Sequence, residues 1–204
     1  MKVLVINCGS SSIKFELFAM PEENVLAKGI VEKIGEETGR LKCKTNGHEQ
    51  VTEEAIPGHD VGLKKIVEAL TDTENGGLES PGEIGAVGHR VVHGGEALAR
   101  TSLITDEVVK TLEDHVELAP LHNPPNLLGI RVAREVFPGV PQVAVFDTAF
   151  HQTMPKHAYL YPVPFELYEK HRVRRYGFHG TSHRYVAERA AQILQKPLAE
   201  TNLI

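Results

Sequence analysis

Residues 3–18 read VLVINCGSSSIKFELF and decide how the chain begins to fold. The apolar run Val3-Leu4-Val5-Ile6 predicts a buried strand, and the pattern after the serines predicts a second strand. The small residues of the turn between them allow the backbone to approach a ligand closely. Such a turn suits an oxyanion such as phosphate, and Lys14 adds a positive charge just beyond it. A plain serine-rich hairpin is the alternative, and the turn alone does not decide between the two.

The composition excludes several classes of protein. The chain has 204 residues, 41% hydrophobic and 24% charged, with a net charge of −5, which is typical of a globular protein without broad affinity for nucleic acid. Its apolar runs are far shorter than the ~20 residues that span a bilayer. Cys8 and Cys43 form no CxxC pair, which is typical of reduced thiols. We therefore expect a cytoplasmic protein with no nucleic-acid and no membrane partner.

The order of predicted elements indicates the fold class. Strands are expected over residues 2–7, 12–18, 26–33, 40–45, 84–92 and 142–147, and helices over 60–71, 106–118, 124–136 and 182–195. Asp60 is the expected N-cap of the first helix, and Thr181 or Ser182 that of the last. Residues 72–83 and 148–178 read as irregular, and 201–204 as the start of another buried strand. A meander followed by alternating helices and strands predicts an α/β fold, with a mixed sheet and flanking helices.

Three further segments carry side chains suited to catalysis or binding. Arg90 lies within an apolar strand, where it needs an anionic partner, either an internal carboxylate or a bound substrate anion. Asp147 ends a predicted strand, at the edge where α/β sheets collect ligands, although it could instead cap a turn. His179 precedes a predicted helix, whose first backbone N–H groups favour anions.

Together these segments closely resemble the acetate kinase family and its carboxylate kinase relatives. The resemblance covers essentially the whole chain and rests on NCGSSS (7–12), GHRVVHGGE (88–96), LAPLHNPPN (118–126), FDTAFH (146–151) and YGFHGTSH (176–183). One departure is Cys8, where the family usually has alanine. Cysteine is also small and apolar, so it should be tolerated.

The resemblance implies an actin-like, ribonuclease H-like ATPase fold that is duplicated in the full protein. Residues 1–196 would form the N-terminal domain, on the substrate side of the cleft. Residues 197–204 would begin the crossover into a second, nucleotide-binding domain that is absent from this chain, since family members are about twice as long. The full-length protein is expected to be a homodimer, formed chiefly through that second half.

The implied reaction is reversible phosphoryl transfer from ATP to acetate, giving acetyl phosphate and ADP, with Mg²⁺ (or Mn²⁺) as cofactor. Propionate or butyrate kinase is the alternative within this chemistry. A non-catalytic carboxylate- or phosphate-binding module is the alternative of another class. Because part of the nucleotide site would lie beyond residue 204, we expect little or no activity from this chain alone.

The resemblance also implies roles for individual residues on the nucleotide side of the cleft. Asn7 would lie at the Mg²⁺ site. Ser10, Ser12 and Lys14 would lie near the nucleotide phosphates.

On the substrate side, Arg90 would hold the carboxylate, and Val92, Leu121 and Phe178 would surround the methyl group. His122 would lie near the site.

Asp147 and His179 would be the catalytic pair, with His179 stabilising the transferring phosphoryl group. A carboxylic acid with a pKa near ~4 is already ionised at neutral pH, so it needs no general base. Our hypothesis is therefore that Asp147 organises Arg90 or the waters of Mg²⁺.

Overall fold

The computed structural model describes residues 1–203 of the chain. Its strands are β1 (Lys2–Cys8), β2 (Ser12–Ala19), β3 (Asn24–Glu32), β4 (Gly39–Thr45), β5 (His48–Glu54), β6 (Ile84–Val91), β7 (Ser102–Leu103) and β8 (Gln142–Phe146). Its α-helices are α1 (His59–Leu70), α2 (Asp106–Asp114), α3 (Asn123–Val136), α4 (Lys156–Tyr159), α5 (Phe165–His171) and α6 (Gly180–Leu194). The strands form one mixed sheet in the order β5-β4-β3-β2-β1-β6-β8-β7. The α/β prediction is therefore confirmed.

The topology of the sheet brings three strand ends to one edge. Strands β1 to β5 form an antiparallel meander, whereas β6 pairs parallel with both β1 and β8. Parallel neighbours need crossover connections, and α1 supplies one and α2 with α3 the other. The carboxyl ends of β1, β6 and β8 consequently meet at the same edge of the sheet, where α/β proteins bind their ligands.

Helices cover one face of the sheet and thereby decide which side chains remain available on the other. Along β1, Leu4 and Ile6 are buried in the main core, which α1 and α3 close, while Val5 and Asn7 alternate to the opposite face. Arg90 lies on that opposite face of β6 and is half-buried. Because side chains alternate between the two faces of a strand, Asn7 of β1 and Arg90 of β6 lie on the same face of the sheet.

Three helix boundaries differ from the prediction. The N-cap of α1 is Gly58 in an extended conformation, so the assignment of Asp60 was wrong; Asp60 lies in the first turn, where its charge favours the helix dipole. Helix α2 ends at Asp114, because His115 leaves the helical region (φ −106°, ψ 12°) before a separate 3₁₀ turn. Helix α6 begins at Gly180 with His179 as its N-cap, earlier than Thr181 or Ser182.

Other segments also differ from their predicted structure. Strand β5 was not predicted, and the stretch 148–178, read as irregular, contains the short helices α4 and α5. Residues 201–203 have no regular structure, and residue 204, the last of the expected strand, lies outside the described residues. Within residues 1–203, no helix combines the length and apolarity that crossing a membrane requires.

Candidate active site

Arg90 and Asp147 form an ion pair at the edge where β6 and β8 end. Asp147 accepts hydrogen bonds from Arg90 Nε (3.1 Å to Oδ1, 3.2 Å to Oδ2) and from Nη2 (2.6 Å to Oδ2). The Asp147 side chain is only 4% exposed, whereas that of Arg90 is 38% exposed. Of the two partners that the sequence allowed for Arg90, this chain supplies the internal carboxylate. The bidentate contact holds the planar guanidinium in one orientation.

Asn7, on β1, is a second hydrogen-bond partner of the Arg90 guanidinium. Its Oδ1 accepts a hydrogen bond of 3.4 Å from Arg90 Nη1. Arginine has five N–H donors, and the contacts with Asp147 and Asn7 use one on each nitrogen. Two N–H groups therefore remain for an anionic ligand.

A first cavity of about 390 Å³ opens on one side of this ion pair. Its polar lining comes from Arg90, Asp147, His122 and His179, and the rest is apolar: Val92, Leu118, Ala119, Pro120, Leu121 and Phe178. The substrate-side residues of the sequence prediction thus surround one space. Its outer wall is open, since Leu121 is 79% and Phe178 46% exposed.

A second cavity of about 570 Å³ lies on the other side of the same ion pair. It shares Arg90, Asp147 and His179 with the first cavity. Asn7 also lines it, together with the start of α6. The Arg90–Asp147 pair and His179 therefore line both the smaller cavity, of about 390 Å³, and the larger one, of about 570 Å³.

Backbone geometry explains how His179 reaches the ion pair. His179 has a left-handed conformation (φ 54°), and its Nδ1 lies 3.8 Å from Asp147 Oδ2. The next residue, Gly180, donates its N–H to the Asp147 carbonyl at 2.8 Å. A Cβ on Gly180 would lie 2.5 Å from that carbonyl oxygen, so only glycine fits there. The start of α6 is thereby fastened to the end of β8, and the His179 side chain is left 70% exposed.

Two further histidines support the loop that carries Phe178. His151 Nε2 lies 3.1 Å from the Phe178 carbonyl oxygen. The ring of His93 meets Tyr176 and Phe178 edge-on, at centroid distances of 4.4 and 5.8 Å. His93 is 2% exposed, and burial lowers its pKa to about 4, so the ring is neutral at pH 7. Neutral His93 Nδ1 accepts a hydrogen bond from the Gly95 N–H at 2.9 Å.

The nucleotide-side residues of the prediction are not brought to the ion pair, apart from Asn7. Ser10 and Ser12 belong to the tight turn closed by the Gly9 N–H to Ser12 carbonyl bond of 2.8 Å, and neither serine lines the two cavities just described. Lys14 pairs with Asn7 in the β1–β2 register. It lines a separate groove on the open face of the meander, with Lys28, Lys42 and Lys44.

Sequence reasoning missed three buried residues beside the site: His93, Asn123 and Asn126. Burial and hydrogen bonding mark them in the structure, but a lone histidine or asparagine carries no periodic signal. All three lie within the segments GHRVVHGGE (88–96) and LAPLHNPPN (118–126) that carry the family resemblance, and the two prolines between the asparagines suit a first helical turn.

Comparison with known proteins gives a consistent result. The family model described as "Acetokinase family" matches residues 2–204. Acetate kinases of Halothermothrix orenii and Natranaerobius thermophilus are 57% and 58% identical over the whole chain, which covers 52% of each relative. The chain therefore spans about half the length of the curated relatives it matches.

Solved structures agree with the fold. The crystal structure of Porphyromonas gingivalis acetate kinase matches with a TM-score of 0.91 at 50% identity, over 98% of this chain and 50% of that one. A propionate kinase from Francisella tularensis matches with a TM-score of 0.89 at 40% identity, over 96% and 49%. The mixed sheet with flanking helices is thus the α/β fold of these kinases, in agreement with the actin-like prediction. The chain belongs to the acetokinase family.

Proposed function

We propose that the intact protein containing this chain transfers a phosphoryl group reversibly from ATP to acetate, giving acetyl phosphate and ADP. The observation that carries the proposal is an arginine fixed at an apolar-walled cavity with N–H donors to spare. Arg90 is held by Asp147 and Asn7 through three of its five N–H groups. A carboxylate bound to the other two would direct its methyl group toward Val92 and Phe178.

The proposed role of Arg90 is electrostatic as well as geometric. Acetate attacks as an anion, and the γ-phosphate of ATP is anionic too, so a cation must offset their repulsion. In phosphoryl transfer the protein mainly positions the groups and stabilises charge on the transferring oxygens. Arg90 meets the first need, and the exposed ring of His179, facing both cavities, can donate to a phosphoryl oxygen.

Asp147 is proposed to position Arg90 rather than to move a proton. Acetate needs no base, because its pKa near ~4 leaves it ionised at neutral pH. All of the hydrogen bonds that the Asp147 carboxylate accepts within the described residues come from Arg90. A carboxylate occupied in this way fixes the guanidinium for the incoming substrate.

The donor set also suits Mg²⁺. The ion prefers oxygen ligands, keeps several waters and takes few ligands from the protein. Asn7 and Asp147 both line the second cavity, and among residues 1–203 there is no group of three or more His, Cys, Asp or Glu that could hold a metal ion. Asn7 would lie at the ion, and Asp147, whose carboxylate bonds to Arg90, would contact the ion only through its waters. When bound, it would neutralise phosphate charge.

On this proposal, the Gly9–Ser12 turn and Lys14 face the phosphates of ATP in the intact protein. The family resemblance of NCGSSS supports this assignment, as does the placement of Lys14 and Asn7 on the same face of the sheet. A homodimer and a cytoplasmic location belong to the same proposal, and sedimentation velocity and cell fractionation test them.

The test begins with the mass of the natural protein, which establishes the length of the intact chain. Acetyl phosphate is then trapped as the hydroxamate in the presence of ATP, Mg²⁺ and acetate. We expect acetate-dependent product from the intact protein and little or none from residues 1–204 alone. Arg90→Lys should raise the KM for acetate, because a lysine cannot bind two oxygens at once. Arg134→Lys is the matched control, since Arg134 pairs with Asp106 at the surface.

Propionate is the second candidate substrate. The first cavity is open toward Leu121 and Phe178, and a similar structure is a propionate kinase. One methylene is worth only about 1–3 kcal/mol of discrimination. The ratio of kcat/KM for acetate, propionate and butyrate decides among the three acids.

A non-catalytic binding module is the alternative of another class. Calorimetry with acetate and with ATP separates it from the kinase: heat of binding without any turnover by the intact protein would support the module and contradict our proposal.

A further inference from the structure

Two asparagines at the start of α3 are buried beside the proposed site. Asn123 is 0% exposed and Asn126 is 4% exposed. They lie three residues apart and therefore share a face of the helix. Pro124 and Pro125 separate them and lack N–H groups, as the first helical turn tolerates.

Asn126 is bonded to the ends of two neighbouring segments, at β1 and just after β6. Its Oδ1 accepts a hydrogen bond of 3.0 Å from the Val92 N–H, just after β6. Its Nδ2 donates a hydrogen bond of 2.7 Å to the carbonyl oxygen of Cys8, the last residue of β1. Cys8 directly precedes the Gly9–Ser12 turn, and Val92 lines the first cavity. One side chain thus joins the turn to the cavity wall.

Asn123 makes a similar pair of bonds with only one residue. Its Oδ1 accepts from the His93 N–H at 3.2 Å, and its Nδ2 donates to the His93 carbonyl at 3.0 Å. The His93 ring meets the ring of Phe178 edge-on, and Phe178 also lines the first cavity. Asn123 therefore acts on the substrate side, because both of its hydrogen bonds are to His93 and neither is to β1.

The strand register explains why side-chain amides are needed here. The pairing of β1 with β6 runs as far as Ile6 and His89, so the ladder between these strands does not reach Cys8, Val92 or His93. Buried backbone N–H and carbonyl groups require partners. A primary amide offers both a donor and an acceptor, so it can continue the bonding beyond the ladder.

We propose that Asn126 is a positioning residue that fixes the distance between the Gly9–Ser12 turn and the Val92 wall. It would thereby set the nucleotide phosphates and the carboxylate relative to each other, and this role rests on the proposed function. Asn123 is the matched residue: it is equally buried on the same helix turn but positions the substrate side only.

The experiment compares Asn126→Asp with Asn123→Asp in the intact protein. Each change keeps the acceptor oxygen and shape but replaces the donor N–H₂ with an oxygen facing a carbonyl. Small displacements of reacting groups can cost about 100-fold in rate. We expect Asn126→Asp to raise the KM for both ATP and acetate about tenfold or more and to lower kcat. Asn123→Asp should raise the KM for acetate alone.

Equal effects of the two variants on the KM for ATP would overturn the proposal, as would a loss of activity that merely follows the unfolded fraction measured by circular dichroism. If Asn126→Asp does not fold, Asn126→Ser takes its place, since the shorter neutral side chain removes both bonds without introducing a buried charge.

Amide hydrogen exchange tests the hydrogen bonds of Asn126 independently of turnover. Asn126→Ser should lower the protection of the Val92 N–H and leave the His93 N–H protected, whereas Asn123→Ser should do the reverse. A Val92 N–H that is unprotected in the wild type, or unaffected by Asn126→Ser, would refute the structural role. An intact wild type that protects the Val92 N–H but forms no acetyl phosphate would contradict the proposed function and still support the structural role of Asn126.

Discussion

Replacing Asp147 with asparagine removes the charge that holds Arg90 while keeping the shape of the side chain. In the wild type, the Asp147 carboxylate accepts hydrogen bonds from Arg90 Nε at 3.1 Å and from Arg90 Nη2 at 2.6 Å. The amide of Asp147→Asn loses the negative charge and keeps one acceptor oxygen; with that oxygen in the place of Oδ2, an N–H₂ group replaces the Oδ1 that accepts from Nε at 3.1 Å. Hydrogen bonds to charged groups contribute about 1.5–3 kcal/mol each. If the transition state depends on this orientation, kcat/KM for acetate falls about 10- to 150-fold.

The cost to folding should be smaller than that for a fully buried pair. Breaking a buried pair costs about 3–5 kcal/mol, but here one partner can still reach water. The Arg90 side chain is 38% exposed, so its charge stays hydrated after the change. We therefore expect a folded variant whose loss is mainly catalytic.

The assay is the kcat/KM for acetate of the intact protein between pH 6 and 8, at saturating ATP and Mg²⁺. Because acetate with a pKa near ~4 stays ionised in this range, the loss should be the same at every pH. Asp106→Asn is the matched control: Asp106 pairs with Arg134 at 2.8 Å but its side chain is 91% exposed, and such pairs contribute little. An acidic limb of the pH–rate profile that shifts, with Mg²⁺ affinity unchanged, would refute the positioning role and favour proton transfer.

Three further predictions concern stability and association. Burial lowers the pKa of His89 and His93 from 6.5 to about 4, so the unfolded chain binds more protons. The contribution of these histidines to the free energy of unfolding is therefore complete above pH 6.5 and falls toward pH 4. The fall is up to about 1.4 kcal/mol per histidine and pH unit, which urea titrations at different pH values measure. Gly129→Ala, whose Cβ would lie 2.3 Å from Cys8 Sγ, should cost about 1–3 kcal/mol of unfolding free energy, and Cys8→Ala should restore part of it. The exposed apolar side chains of α6 should make the 204-residue chain self-associate, and Ile193→Glu (71% exposed) should reduce this in sedimentation velocity.

Each of these has an outcome that contradicts it. An unfolding free energy that is constant from pH 6.5 to 4 would mean that both buried histidines become protonated without cost. Additive effects of Gly129→Ala and Cys8→Ala would show that the two side chains do not meet. If Ile193→Glu associates as strongly as the wild type, the contact surface does not lie on α6.

Local patterns predicted most of the sheet and the central residues of the site. The alternation in β1 and the apolar runs of β6 and β8 are visible because alternate residues of those strands are buried in the two hydrophobic cores of the domain. Arg90, Asp147 and His179 were identified from their positions in strands or before a helix, and the structure brings them together. Parallel strands explain this success, since their carboxyl ends meet at one edge.

Elements without a buried face were not predictable in the same way. Strand β5 reads HEQVTEE and has no buried residue, so its sequence carries no alternation. It forms because its backbone pairs with β4 at the edge of the sheet. Similarly, the cap of α1 is an extended backbone at Gly58 without a side-chain hydrogen bond, which no local rule for Asp60 could reveal.

The sequence by itself therefore determined the strands with one buried face, the α/β class and the identity of the charged residues at the strand ends. The tertiary structure alone decided which partners those residues meet. It directed two nitrogens of Arg90 to Asp147, and it turned Lys14 toward a separate groove. It also joined Asn126 to Cys8 across 118 positions of the chain. Periodicity reports burial within one element, whereas a hydrogen bond between distant elements depends on crossovers and register that no single segment encodes.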